Sequence, residues 1–262
     1  MAGSGAVSAQ GAAEWGAATS AVRGPYRAIE RLDDGSTANT ESGPLTGAHL
    51  TAWREGGGWR IGIAADRLSG RVDYRGRSQV GLPVRTHSRI GIDEIALDAS
   101  RSLALVDTVT ATATAAAGQR RIDRRIEPSL LSTPLTEVLN WRFAQIGAQA
   151  RWAVSDRWTA AVGIRIEQGL TAKLDVDFHG VAEPVRLAPT LGHPGHRLNL
   201  ELGRTIANDL GLVLIATHSR QAYGASSWQD YRRGGATVSR VRYPGSTQRL
   251  DDIALALTWR WR

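Results

Sequence analysis

Apolar and polar residues alternate with period two along much of the chain. Trp59, Ile61, Ile63 and Ala65 fall on one face of a segment whose other face carries Arg60, Gly62, Ala64 and Asp66. Ala144, Ile146, Ala148, Ala150, Trp152 and Val154 oppose Gln145, Gly147, Gln149 and Arg151. Trp158, Ala160, Val162, Ile164 and Ile166 oppose Thr159, Gly163, Arg165 and Glu167, and Leu198, Leu200 and Leu202 oppose Arg197, Asn199 and Glu201. Leu210, Leu212 and Leu214 repeat the pattern with less contrast against Gly211, Val213 and Ile215. Successive side chains of a strand point to opposite faces, so this alternation predicts half-buried strands and not helices. Around Ile90–Leu97 the apolar phase flips, since Ile90 and Ile92 share one parity and Ile95 and Leu97 the other. A bulge near Asp93-Glu94 is the expected cause. Val106–Thr114 reads as a strand of mild polarity; Tyr26–Leu32 and Gly47–Trp53 are weakly patterned.

The connections alternate in length. Short turns are expected at Arg54–Gly58, Ala99–Arg101, Ser155–Arg157 and Ala207–Leu210, each with turn chemistry. Long connections are expected at Asp33–Pro44, Ser69–Pro83, Gly118–Thr136, Gly169–Gly195 and Gly224–Thr247. Such alternation predicts an all-β, up-and-down antiparallel barrel with every short turn at one end. The strand count is ten, or twelve if Ser102–Glu127 is two strands rather than one. The barrel is expected over 20–262, after a flexible segment at 1–19.

Two features choose between a soluble and a transmembrane barrel. The polar face is regular: Arg60, Asp66, Arg151, Arg165, Glu167, Arg197, Glu201 and Arg260 all lie opposite the apolar face. In a membrane barrel that face turns into the lumen and the apolar one meets lipid. The tryptophans also gather. Trp53, Trp59, Trp152, Trp158, Trp259 and Trp261, six of the nine, stand beside short turns or the C-terminus. Indoles collect at membrane interfaces, where ring and N–H are both satisfied.

Composition narrows the rest. The 262 residues include no Cys, which excludes disulfides and thiolate chemistry. Net charge is +7 with Lys173 the only lysine, so the basic balance is almost wholly arginine. These arginines are dispersed and accompany no groove-reading motif, so no nucleic-acid partner is expected. Met1–Ala9 lacks a basic or apolar signal region, but Val7-Ser8-Ala9 resembles the small-residue end of an export cleavage site.

The run Ile253-Ala-Leu-Ala-Leu-Thr-Trp-Arg-Trp261 resembles the terminal strand of bacterial outer-membrane β-barrel proteins, departing from it in the following Arg262. The resemblance implies an outer-membrane location and recognition by the barrel-assembly machinery. Tyr74–Thr86, with Gly76, Gly81 and Pro83, is similar to an uncharacterised group of such barrels and implies no activity.

A ten-stranded barrel is narrow enough for side chains to fill its interior. The eight lumen-facing residues above are therefore expected to form a paired-charge plug, with a small-solute path as the alternative use. Arg71, Arg75, Arg77, Arg232, Arg233, Arg240 and Arg242 lie in the long connections with Arg120, Arg121, Arg124, Arg125 and Arg220. The first seven are expected to hold lipopolysaccharide, since a guanidinium fork matches phosphate. A structural, surface-interaction or small-solute role follows. The alternative is a hydrolase of omptin-like architecture, a family whose sites use acidic pairs and a His at the extracellular rim. Candidates are His49, His87, His179, His193, His196 and His218 with Glu41, Asp175, Asp177 and Asp230. The discriminator is a His and a carboxylate converging in one rim cleft. His193-Pro-Gly-His196 has no nearby carboxylate to complete a metal site, no Gly-x-Ser-x-Gly motif is present, and no cofactor is expected.

Overall fold

A computed structural model describes residues 13–77, 82–130 and 132–261. Ten long strands form a closed antiparallel ring: β1 (Glu14–Arg31), β2 (Thr37–Gly56), β3 (Trp59–Arg77), β4 (Pro83–Val106), β5 (Val109–Ile126), β6 (Leu135–Ala153), β7 (Trp158–Asp177), β10 (Gly195–Ala207), β11 (Leu210–Ser226) and β14 (Gly245–Trp261). The C-terminal strand pairs with β1 along its length, from Trp15 opposite Trp261 to Arg31 opposite Gly245. Two short strands extend the wall, β8 (Val185–Leu187) on β7 and β9 (Pro189–Leu191) on β11. A separate hairpin is made of β12 (Gln229–Arg233) and β13 (Ala236–Val241).

The pitch of the ring can be followed through directly paired residues. From Ile61 the path runs through Ala99, Ala115, Ile146, Ile166, His196, Arg220, Arg249, Arg27 and Ser42 to Asp73. One circuit thus returns to β3 12 residues higher (61 to 73), which for ten strands means a tilt of about 40°. Every residue on the path points outward. The first five are apolar and the last six polar, so a single circuit climbs out of the apolar zone.

That zone is the membrane-spanning part of the wall. Its outward surface carries Leu50, Ile61, Ile63, Ile95, Leu97, Ile146, Val162, Ile164, Ile166, Leu198, Leu200, Leu202, Leu214, Ile253 and Leu255, all exposed in the isolated chain. They occupy the half of each strand next to the short turns. Trp15, Trp59, Trp152, Trp158, Trp259 and Trp261 edge it, and Arg54, Arg101 and Arg204 lie over the Trp15, Trp59 and Trp158 rings at 5.7, 5.4 and 5.3 Å. The girdle differs in one member from expectation. Trp53 faces inward, 6 % exposed, beneath the Arg60 guanidinium 4.1 Å from its ring centroid, and Trp15 takes its place outside.

Above the zone the strands continue clear of the hydrocarbon. A strand such as β3, with 19 residues, rises about 45 Å at this tilt, against an apolar band of about 25 Å. Here water is outside, and the apolar face turns in: Tyr26, Leu45, Leu68, Val72 and Ile90 form one buried cluster, and Ile122, Leu139, Trp141, Phe143, Leu174 and Tyr223 belong to another. This explains the flip on β4. The β3–β4 register runs unbroken from Trp59–Arg101 to Arg77–Pro83, so no bulge separates Ile92 from Ile95. Their common preference for an apolar medium is met inside in the upper half and outside in the lower. Register breaks lie elsewhere, as between Arg142 and Phe143 on β6, opposite an extra residue around Leu170 on β7.

Other boundaries also moved. Ser102–Glu127 divides between β4 and β5 at Asp107-Thr108, so that turn replaces the one expected at Ala99–Arg101, and the count stays at ten. β2 begins at Thr37 and β5 runs to Ile126, which shortens the connections expected at Asp33–Pro44 and Gly118–Thr136. β1 begins at Glu14, inside the segment expected to be flexible, with 1–12 outside the described residues. The Gly81 of the Tyr74–Thr86 resemblance also lies outside them.

Candidate functional site

The interior is layered by the inward residues of each strand. In the upper layer Arg124 stands among three carboxylates. Its Nε donates to Glu41 Oε1 at 3.0 Å, and its Nη1 to Glu30 Oε1 at 2.5 Å and Glu137 Oε2 at 2.7 Å. Asn39 bridges, donating to Glu30 and accepting from Arg124. Arg124 and Glu41 are buried, at 8 % and 1 % exposure. One cation cannot balance three anions, and burial pushes the Glu137 carboxyl up to about 7 despite Arg124.

Two inward positions lower on β5, past Ile122, Arg120 makes the second layer. It donates to Glu94 Oε2 at 2.7 Å and bidentately to Glu167 at 3.0 and 2.9 Å. Trp141 Nε1 and Gln145 Nε2 complete the Glu167 carboxylate at 3.1 and 2.7 Å. Arg197 approaches Glu94 at 3.9 Å. Glu201 accepts from Gln149 and Asn199, each at 2.8 Å, with Arg151 at 3.6 Å.

Between these groups lies a cavity of about 260 Å³. Its polar lining includes Ser20, His49, Asp66, Arg165, Arg197 and Asp252, and its apolar lining includes Val22, Leu68, Ile92 and Leu250. Ser20, His49 and Asp66 are directly paired neighbours on β1, β2 and β3, all facing inward. His49 Nδ1 is hydrogen-bonded to Asp66 Oδ1, while the buried Ser20 Oγ has no hydrogen-bond partner.

All eight expected lumen residues lie on inward-facing positions. The structure pairs Arg151 with Glu201, Glu167 with Arg120, Asp66 with His49 and Arg197 with Glu94. Arg60 lies over Trp53 with its Nε unpartnered, and Arg165 and Arg260 make no ion pair among the described residues. Arg120 and Arg124, grouped with the outer-rim arginines from sequence, are instead the centres of the two ion layers. Their shared parity with Ile122 and Ile126 was the available signal, because an apolar face above the membrane turns inward.

The seven expected lipopolysaccharide arginines divide. Arg71, Arg75 and Arg77 occupy outward positions on β3, with Arg71 and Arg89 both on Glu127, at 2.6 and 3.2 Å. Arg232, Arg233 and Arg240 are on the β12–β13 hairpin. Arg242 is ion-paired to Asp33 and stacked over Trp228 at 4.6 Å. Directly above the apolar band a further outward set appears that sequence reasoning left out or dispersed: Arg23 and Arg27 on β1, Arg67 on β3, Arg89 on β4, Arg121 and Arg125 on β5 and Arg142 on β6.

His49 pairs with Asp66 in the cavity, but no other candidate histidine has its ring on one of the expected carboxylates among the described residues. His87 Nε2 and Asp73 Oδ1, 3.5 Å apart, are on the outer wall, as are His218 and Asp251 at 2.5 Å. His179 Nε2 meets Thr136 Oγ1 at 2.8 Å, and Asp175 is taken by Arg186 at 2.6 Å. Asp230 pairs with Arg232 on the hairpin, and Glu41 belongs to the Arg124 layer. Among the described residues no three metal-ligating side chains converge, His193 and His196 included.

No protein-family model and no curated protein sequence matches the chain. Solved structures do. The outer membrane protease OmpT from Escherichia coli superposes with a TM-score of 0.66 over 95 % of this chain and 96 % of that one, at 8 % identity. The translocator domain of the autotransporter NalP from Neisseria meningitidis gives 0.45 over 93 % and 88 %, at 11 % identity. The Ralstonia pickettii toluene transporter TbuX gives 0.39 over 95 % and 90 %, at 9 % identity. At such identity the likeness to OmpT speaks for the fold alone. With the apolar band and its Trp girdle, the chain is a ten-stranded β-barrel of the bacterial outer membrane.

Proposed function

We propose that this protein is a non-conducting, surface-interacting barrel held in the outer leaflet by lipopolysaccharide phosphates. The observation that carries the reading is the outward guanidinium belt on β1 and β3–β6, set immediately above the apolar band. That is the level of the phosphate-bearing head groups, and Arg matches phosphate through a planar fork of donors. Arg23, Arg27, Arg125 and Arg142 are exposed there and form no ion pair among the described residues. The two ion layers and the aromatic cluster fill the described lumen above and beside the cavity, which supports a closed pore. The rim-hydrolase alternative draws on the OmpT-like fold without a His–carboxylate pair at the rim, since the His49–Asp66 pair lies lower, level with the apolar band.

The test is a fourfold variant, Arg23, Arg27, Arg125 and Arg142 to Gln. Its thermal midpoint, read by heat-modifiable gel migration, is expected to fall in lipopolysaccharide-containing membranes and to stay unchanged in neutral detergent. An equal fall in both would defeat the reading.

A further inference from the structure

We propose that Ser20, His49 and Asp66 form an acyl-transfer triad inside the barrel, acting on a small uncharged ester held in the adjoining cavity. Three strands deliver these side chains in the order nucleophile, base, orienting carboxylate, because Ser20 is opposite His49 and His49 opposite Asp66 in adjacent ladders. Directly opposed residues hold their Cβ atoms about 5 Å apart, within reach of a hydroxyl and an imidazole after one rotation about χ1. His49 Nδ1 is engaged by Asp66, which leaves Nε2 as the other ring nitrogen, and Ser20 and Asp66 flank His49 from the two neighbouring strands. Two buried serines among the described residues have an unpartnered Oγ, Ser20 and Ser88; Ser88 stands between Val72 and Ile126, whereas Ser20 stands beside His49. Ser20 is 5 % exposed and its Oγ is unpartnered, although donors and acceptors fill the surrounding wall.

The cavity supplies the remaining parts. Its volume, about 260 Å³, lies just under the range of drug-sized ligand pockets and admits a short-chain ester. Val22, Leu68, Ile92 and Leu250 offer an apolar wall for the acyl group. The lining holds as many arginines as carboxylates, five of each, which leaves no net charge to draw an ionic substrate and suits an uncharged one. Arg197, which reaches Glu94 only at 3.9 Å, has donors left for an oxyanion. In the reaction Ser20 Oγ attacks the acyl carbon as its proton passes to His49 Nε2. The carbonyl electrons move to oxygen, then return as the alkoxide leaves with the proton from His49. Water, deprotonated by His49, then releases the acyl group as a carboxylic acid and restores Ser20. Ser20 and His49 are the catalytic residues. Asp66 is a positioning residue.

The probe is a small alkyl fluorophosphonate applied to the folded, detergent-solubilised barrel, with the modified peptide located by mass spectrometry. Ser20 Oγ displaces fluoride from phosphorus, its proton going to His49. One adduct per chain on Ser20 is expected, and its formation should slow by about 10²-fold or more in His49→Gln. Asp66→Asn should displace the pH profile of labelling, and Ser20→Ala should abolish both the adduct and hydrolysis of p-nitrophenyl butyrate. Heat-modifiable migration of each variant shows that it is folded. The proposal is overturned by a folded wild-type barrel that carries no adduct on Ser20, or by labelling that His49→Gln leaves unchanged.

Discussion

The Trp141 indole lies over Gly169 on the neighbouring strand and donates its Nε1–H to Glu167 at 3.1 Å. A Cβ at position 169 would fall inside the indole, so this glycine is what lets Trp141 lie against the wall and close the Glu167 carboxylate. Gly169→Ala is expected to destabilise the barrel by about 1–3 kcal/mol, the usual cost of overpacking. The denaturation midpoint checks it, and Trp141→Leu in the same chain should remove most of the loss caused by the added methyl.

Glu137 gives the upper ion layer a pH dependence. Its folded pKa, raised to about 7 from an ordinary 4.5, makes the folded state bind the extra proton. The contribution to stability is full below about 4.5 and is lost as pH rises through 7. Glu137→Gln should therefore raise the unfolding midpoint at pH 8 and change it little at pH 4. Equal effects at both pH values would contradict this assignment.

Removing the cation of that layer should be far more damaging. Arg124→Met leaves Glu30, Glu41 and Glu137 facing one another without compensation. A loss of about 3–5 kcal/mol is expected, as for one partner of a buried pair. Urea titration of the refolded barrel reads it, and Glu137→Gln in the same chain should return part of the loss.

The inversion of faces makes the cost of a charge depend on height. Leu200→Arg, outward and within the apolar band, should cost about 2–4 kcal/mol in a bilayer. Ser69→Arg, also outward but above the band on β3, should cost close to nothing. Refolding equilibria in lipid vesicles distinguish the two.

In planar bilayers the wild-type barrel is expected to show no steady conductance, because Arg120, Glu94, Glu167 and Trp141 occupy the lumen. A persistent open level would count against the closed-pore reading.

Much of this architecture was legible in the alternation of apolar and polar positions, and some of it was hidden for a definite reason. The lower halves of β3, β6, β7, β10 and β14 read clearly, since a strand between lipid and a wet lumen has the strongest contrast of faces. Upper halves read poorly. The parity that carries Ile61 and Ile63 outward carries Arg71 and Asp73 outward too, while Leu68 and Val72 take the inward one. A reader assuming one apolar face per strand infers a bulge at Asp93-Glu94, while Ala99–Arg101 passes for a turn on its small and polar residues although Leu97, Leu103 and Leu105 keep one parity across it. For the same reason Arg120 and Arg124 read as surface arginines, whereas Trp53 reads as part of an outer girdle only from its nearness to a short turn, its parity with inward His49 placing it inside. Ser20 carried no local signal at all, because its importance comes from the cross-strand register with His49 and Asp66.

The reversal of faces along each strand also bears on how the wall finds its register. Slipping one strand by a single residue swaps its two sides over its whole length. In the lower half that would present lumen charges such as Arg165 and Glu167 to hydrocarbon. In the upper half the same slip would drive the outward guanidinium belt into the aromatic interior. A mispaired strand is thus rejected twice, by two different media, and neither error can relieve the other. The barrel proofreads its own alignment at both ends of every staple between neighbouring strands.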